Sequence, residues 1–286
     1  MAALMTIAAL TIREAARRKL LVALAVLTLI VIGLTGWGFQ HLTTLTSPDG
    51  TPIPADELRL ATSQVLVLVE FMFSAVLALS AVVVASPSIS SEVESGVALA
   101  ILARPVSRYQ VVVGKWLGFA GLIVVYVGAT TCLELLVVSF TTNYVPPGPV
   151  QLGAYLIAEG IVVMSLALVL STWLSGMTAG VVALVLFFVA WIGGIAGAIG
   201  EVFGNAAITN AGTISQLLLP TDALWRGSVF ELEPVLYRDV LGATTERAGN
   251  PFFVQSPPSI AFLLWTGCWV VLIVALAVWN FHRREV

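Results

Sequence analysis

Ser91-Glu-Val-Glu-Ser-Gly-Val-Ala-Leu-Ala-Ile-Leu-Ala-Arg-Pro-Val-Ser-Arg-Tyr-Gln-Val-Val-Val-Gly-Lys-Trp-Leu-Gly118 decides how this chain can be organised. Ser91 and Glu94 have the S-x-x-E spacing of a capping box, in which each side chain satisfies an orphan backbone N–H of the other. The helix they open should stop near Arg104, because Pro105 pushes its predecessor out of the α region. Ser107 and Gln110 make a second box, S-x-x-Q, that opens a helix running on into apolar sequence. Val93, Val97 and Ile101 recur every fourth residue, giving the first helix one apolar stripe and an acidic N-terminal end. Two capped helices in series form a stiff elbow, suited to receiving force from a partner.

On either side the sequence is too apolar for a soluble domain. Hydrophobic residues make up 59% and charged residues 10%, against about 45–50% and about 25% in soluble domains. The expected fold is therefore an all-α polytopic membrane protein. Six apolar stretches, about 20–39, 64–87, 116–141, 152–174, 178–199 and 259–281, each approach the ~20 residues a helix needs to cross a bilayer. The elbow, residues 88–115, lies between the second and third. Only Ser175-Gly-Met-Thr178 separates the fourth and fifth, which predicts a tight helical hairpin. The apolar run from Leu20 is too long for a signal peptide, and Thr35-Gly-Trp-Gly-Phe39 offers no cleavage site. No internal repeat relates the two halves.

Orientation follows from the distribution of Lys and Arg. Arg13, Arg17, Arg18, Lys19, Arg104, Arg108, Lys115, Arg283 and Arg284 fall on one side, and Arg59, Arg226, Arg238 and Arg247 on the other. The first group marks the cytoplasmic face, with both termini inside. Residues 3–18, apolar at Leu4, Ile7, Ala8, Ile12 and Ala15, read as an amphipathic helix in the cytoplasmic interface. The external connections are 40–63 and 200–258. In the latter, Thr221 or Asp222 can cap a short helix whose Leu224 and Trp225 face headgroups or other spans. Its acids Asp222, Glu231, Glu233, Asp239 and Glu246 outnumber its arginines, giving a mildly acidic outer platform or simply a solvated loop.

Catalytic chemistry finds no footing. Gly114-Lys115 lacks the rest of a P-loop, since Tyr109 stands where Gly is needed and Trp116 where a hydroxyl is needed. His41 and His282 fall on opposite faces, and Cys132 and Cys268 read as small core residues rather than a metal or disulfide pair. A net charge of −3 gives no hint of nucleic acid. Trp37, Trp116, Trp173, Trp265 and Trp279 read as interface anchors and packing residues. Ala190, Gly193, Gly194, Gly197 and Ala198 put small residues along the fifth span, permitting close helix approach within the chain or across a dimer.

Glu70, Glu134 and Glu159 are the exception, each inside an apolar span. Counting from the outer ends places all three roughly 9–12 Å deep at 1.5 Å per residue. Acids inside a membrane are costly and tend to face a cavity. No basic residue lies within the six stretches to pair with them. They are kept neutral by lack of water, bonded to hydroxyls such as Thr130 and Ser165, or wetted by a vestibule. They form either a site for a cationic, amine-bearing or metal substrate, or three separately satisfied packing residues.

Glu92-Val-Glu94-Ser-Gly96, Ala103-Arg-Pro-Val-Ser-Arg108 and Gly114-Lys-Trp-Leu-Gly118 together resemble the segment between spans two and three of ABC-2 type exporter permeases. The subgroup they most resemble is the permease of the nitrous-oxide-reductase maturation system. The resemblance implies a coupling helix docking on a separately encoded ATP-binding subunit, with Glu92, Glu94, Gly96, Arg104 and Arg108 at the contact. It also implies short helices before the last span, and a unit of two permease chains, a homodimer, with two ATPase subunits in a bacterial or archaeal cytoplasmic membrane. ATP and Mg would be bound by the partner and no cofactor by this chain, which would export a substrate without being an enzyme itself. The maturation subgroup implies a second possibility, a mechanotransmitting anchor that moves no solute and acts on an extracytoplasmic partner through 200–258.

Overall fold

The computed structural model describes residues 2–17, 19–44, 53–94, 107–235, 252 and 254–283. Among them are ten α-helices and no strands. They are α1 (Ala2–Arg17), α2 (Lys19–Leu42), α3 (Ala55–Ala85), α4 (Pro87–Glu94) and α5 (Arg108–Thr142). After these come α6 (Pro149–Leu170), α7 (Gly176–Val202), α8 (Ala206–Leu218), α9 (Thr221–Leu232) and α10 (Ile260–Arg283). Six stretches are long and apolar enough to cross a membrane: within α2, α3 continued through α4, α5, α6, α7 and α10.

The bundle is built around α6. Val162, Val163, Ala167 and Leu168 on successive faces are all fully buried, as expected of a helix that is apolar all round. The helices α3, α5, α7, α9 and α10 all pack against it. Where α3, α5 and α6 meet, a Cβ on Gly160 would lie 2.9 Å from Ile123 and 3.2 Å from Leu77. The outer helices instead leave large apolar side chains on the surface, among them Leu29 and Leu34 of α2 and Leu264 and Val271 of α10. Cys132 and Cys268 belong to that surface and not to the core expected of them. Their runs are apolar because they face the membrane, and a hydrophobic run alone does not separate lipid contact from core.

The N-terminal helix is amphipathic, but it does more than lie flat. It packs along α5, where Gly114 and Gly118 form its seat. A Cβ on Gly118 would stand 2.8 Å from the Ala8 carbonyl oxygen and 2.9 Å from Thr11 Cβ. Small residues four apart let two helix backbones approach closely. Ala8, Thr11 and Ala15 are accordingly buried, whereas Met5 and Leu10 are exposed.

The small residues of α7 serve contacts within the chain. Gly197 crosses Gly212 of α8, with 2.9 Å between a built Cβ and the facing Cα. Gly194 leaves room for the Asp222 carboxylate, which a Cβ there would overlap.

Candidate functional site

Two buried polar regions lie at different places in the bundle. The first is the elbow. Ser86 stays helical and donates its N–H to the Val82 carbonyl at 2.8 Å, so α3 passes into α4 through Pro87. Proline is tolerated there because a first-turn N–H has no intrahelical partner to lose. Ser91 is consequently in mid-helix, and its hydroxyl donates to the Pro87 carbonyl at 2.5 Å. It does not open the helix, which corrects the expected N-cap position: the start lies four residues earlier, at Pro87. The second box is present. Ser107 and Gln110 exchange both side-chain-to-backbone bonds at the start of α5, with Ser107 N–H to Gln110 Oε1 at 3.1 Å.

Lys115 of α5 clamps α4. It is 7% exposed, pairs with Glu92 at 2.7 Å, and donates to the Ser88 carbonyl. On the other side, Gly176 and Gly180 of α7 accept the backbone of Pro87 and the Ser86 hydroxyl, a built Cβ lying 3.0 and 3.1 Å away respectively. So α4 is held between two spans. Arg108 points inward: its Nη1 donates to the carbonyls of Phe281 at 2.9 Å and His282 at 3.1 Å, joining α5 to the end of α10. Cations at a helix C-terminus are favoured by the exposed carbonyls there. The Glu94 side chain, Gly96 and Arg104 lie outside the described residues, as do Val97 and Ile101.

The second region holds the membrane acids: Glu70 and Glu159 are electrostatic neighbours, and Glu134 shares only a cavity wall with Glu70. Glu70 and Glu134 line the same cavity of about 80 Å³, with Thr28, Thr130, Thr131 and an otherwise apolar wall from α2, α3, α5, α6 and α9. Glu70 is 6% exposed, and among the described residues neither of its carboxylate oxygens has a hydrogen-bond partner. Its electrostatic neighbours are Ser228 and Glu233 of the α9 end. The Ser228 hydroxyl is directed to the Trp225 carbonyl at 2.6 Å. Glu159 stands beside them with Glu70 and Asp222 as charged neighbours, and it accepts a 2.6 Å bond from Ser74.

Neither hydroxyl expected to satisfy these acids does so. Thr130 donates to the Tyr126 carbonyl at 2.7 Å. Ser165 donates to the Ile161 carbonyl at 2.7 Å and accepts from Trp116 at 2.8 Å. A helical Ser or Thr finds its own i−4 carbonyl within reach, so spacing along the sequence does not make it available to a neighbour.

Sequence reasoning missed the role of α9. Thr221 and Asp222 both lie in its first turn and neither caps it, the N-cap position being Pro220 with no side-chain capping bond. Asp222 Oδ2 instead accepts from Arg226 Nε at 2.9 Å and from Gln216 Nε2 at 2.8 Å. Leu224 and Trp225 are buried against the spans, and Trp225 forms an aromatic group with Phe71 and Phe252 that also includes Trp191 through Phe71. With Asp222 and Glu233 both 1% exposed, the acidic outer platform loses two of its members. Asp239 and Glu246 lie outside the described residues. A signal was present in Asp222 and Arg226 at i, i+4, a spacing that puts both on one helix face.

Two of the expected anchors, Trp116 and Trp265, are structural ties, with Trp265 donating to the Leu217 carbonyl at 3.0 Å. Trp269 does the same to Leu218 at 2.9 Å. Trp37, Trp173 and Trp279 remain on the surface.

A comparison with curated proteins returns no match. A comparison with family descriptions matches residues 5–286 to the ABC-2 family transporter protein, a family whose members are membrane permease subunits of ABC transporters and not catalytic chains. Six membrane-length helices in one all-helical bundle fit that description, and the match covers nearly the whole sequence: the chain belongs to the ABC-2 transporter family.

Proposed function

We propose that this chain is the permease half of an ATP-binding-cassette exporter, driven by a separate ATP-binding subunit. The observation that carries the proposal is the double attachment of α4, by Lys115 to α5 and by Gly176 and Gly180 to α7. A helix gripped from both sides passes an applied displacement to both spans instead of bending away. Residues 88–115 are then the coupling elbow, with Glu94, Gly96 and Arg104 facing the ATPase, while Glu92 and Arg108 stiffen its base. The assembly is two permease chains and two ATPase subunits in a bacterial or archaeal cytoplasmic membrane, with both termini cytoplasmic. The pathway lies between the permease copies, and ATP and Mg stay with the partner.

The burial of α9 favours a second reading. This short helix is inserted against α3, α6 and α7 yet belongs to residues 200–258, so motion of the spans would reach that external segment. The chain would then relay ATPase motion to an extracytoplasmic partner, as in the nitrous-oxide-reductase maturation subgroup, moving no solute.

Purification of the tagged chain from its native membrane in mild detergent, with mass spectrometry of what is retained, tests both. A stoichiometric ATPase with Walker motifs is the expected result, and recovery of the chain alone defeats the proposal. An added extracytoplasmic protein would move the assignment to the relay.

A further inference from the structure

We propose that the groove between the start of α5 and the end of α10 holds one anionic phospholipid, with an acyl chain in the groove and the phosphate on Arg283. Tyr109, Val113 and Trp116 line its wall on α5, at the i, i+4, i+7 spacing that keeps side chains on one helix face. Val271, Ala275 and Val278 repeat that spacing on α10 and line the opposite wall. The groove has a volume of about 610 Å³, within the range of about 300–1,000 Å³ found for small-molecule sites. Val, Ala and Trp side chains make up most of the walls, and no carboxylate is among the lining residues.

Length and charge select the occupant. The lining covers roughly 10 Å of α5, from Tyr109 to Trp116, and roughly 18 Å of α10, from Val270 to His282, at 1.5 Å per residue. Half of a hydrocarbon core about 30 Å thick is about 15 Å, so the groove belongs to one leaflet, the reach of an acyl chain. A span from a second copy would follow a seam across the whole thickness. The mouth lies at the membrane surface, because Arg108 Nη1 bonds the carbonyls of Phe281 at 2.9 Å and His282 at 3.1 Å, holding the first turn of α5 level with the last turn of α10. There the exposed Arg283 guanidinium lies 4.0 Å over the ring of Trp279, itself a lining residue. Stacking on an aromatic face fixes the guanidinium plane and leaves its N–H edge for a phosphate, which Arg can hold through two parallel bonds. Charge at the mouth and hydrocarbon in the groove are the two halves of a phospholipid. Free phosphate would use only the first, and a zwitterionic lipid would bring its own cation to a basic mouth. In the orientation proposed above this is the cytoplasmic leaflet, where anionic lipid is found.

The full chain, washed free of native lipid in detergent, is titrated with dioleoylphosphatidylglycerol, dioleoylphosphatidylcholine or inorganic phosphate while its Tm is followed. Phosphatidylglycerol is expected to raise Tm saturably, half-maximally at a concentration at least fivefold below that of phosphatidylcholine. Inorganic phosphate at matched concentration should leave Tm unchanged. Arg283→Gln, at an exposed position, should abolish the preference between the two lipids. Ala275→Trp fills the groove from an exposed position and keeps Arg283; it should raise the half-maximal concentration of phosphatidylglycerol at least fivefold. Equal response to the two lipids, a response to inorganic phosphate matching that to phosphatidylglycerol, or an unchanged response in either variant would overturn the assignment. So would conversion of a dimer to a monomer by Ala275→Trp on size-exclusion chromatography, which would make the groove a seam between copies. No ATPase enters these measurements, so their failure leaves the transporter reading as it stands.

Discussion

The charge site at α9 and the charge site beside α2 solve the same problem in opposite ways. Asp222, fully buried, has Arg226 and Gln216 within 2.9 Å on one oxygen. Glu70, nearly as buried, has as electrostatic neighbours among the described residues other acids and an already committed hydroxyl. The paired site holds a short helix in place among the spans. The other has no such bond among the described residues. Burial of an acid does not by itself distinguish structure from function; what lies within bonding distance does. The elbow follows the first pattern, with Lys115 bonded to both Glu92 and the Ser88 carbonyl.

The contrast can be broken most sharply at Arg226. Arg226→Ala leaves the Asp222 carboxylate buried without its cation, a change that costs about 3–5 kcal/mol, measured as loss of thermal stability in detergent. The loss should depend on pH. Burial pushes the Asp222 carboxyl up, and Arg226 and Gln216 hold it down. An acid held above its ordinary range in the folded state stabilises less as pH rises through the interval between its unfolded and folded values. Removing Arg226 widens that interval, so the variant's deficit relative to wild type should shrink on acidification. A pH-independent deficit would count against Asp222 as its cause.

Gly118→Leu comes next. It forces a side chain into the Ala8 and Thr11 backbone region and should cost about 1–3 kcal/mol as an overpacked contact. Accelerated proteolysis of α1 relative to α6 would show that the N-terminal helix has been displaced. At the elbow, Glu92→Lys places a second cation beside Lys115 and should loosen α4 from α5, whereas Glu92→Gln keeps a hydrogen bond and should cost about 1 kcal/mol or less. The thermal stability of the purified chain in detergent reads this: Tm should fall in the first variant and hold in the second. The smallest effect is expected at Glu70. Glu70→Gln removes no observed hydrogen bond and should change stability by less than about 1 kcal/mol; a large loss would mean that Glu70 is a structural acid like Asp222.

Much of the architecture was legible because a membrane imposes it on the sequence. A crossing helix must satisfy its backbone internally and present apolar side chains over its length, so six spans can be counted without a structure. The Ser107–Gln110 box was legible for the same reason, being a contact between residues three apart. The Ser91–Glu94 box failed although its spacing was equally good, because Pro87 had already started the helix. Local patterns are decisive only when no earlier start competes.

The number of spans, their rough limits and the presence of three acids inside them are therefore readable from residue order alone. Packing alone settles which of those acids line one cavity, that Ser74 and not Ser165 bonds one oxygen of Glu159, and that α9 lies inside the bundle. It also decided that Gly114-Lys-Trp-Leu-Gly118 is both the seat of α1, through its glycines, and the clamp on α4, through its lysine. Hydrophobicity and capping are written in neighbouring residues. The partner of a buried charge comes from another helix, and that choice exists only once the helices have packed.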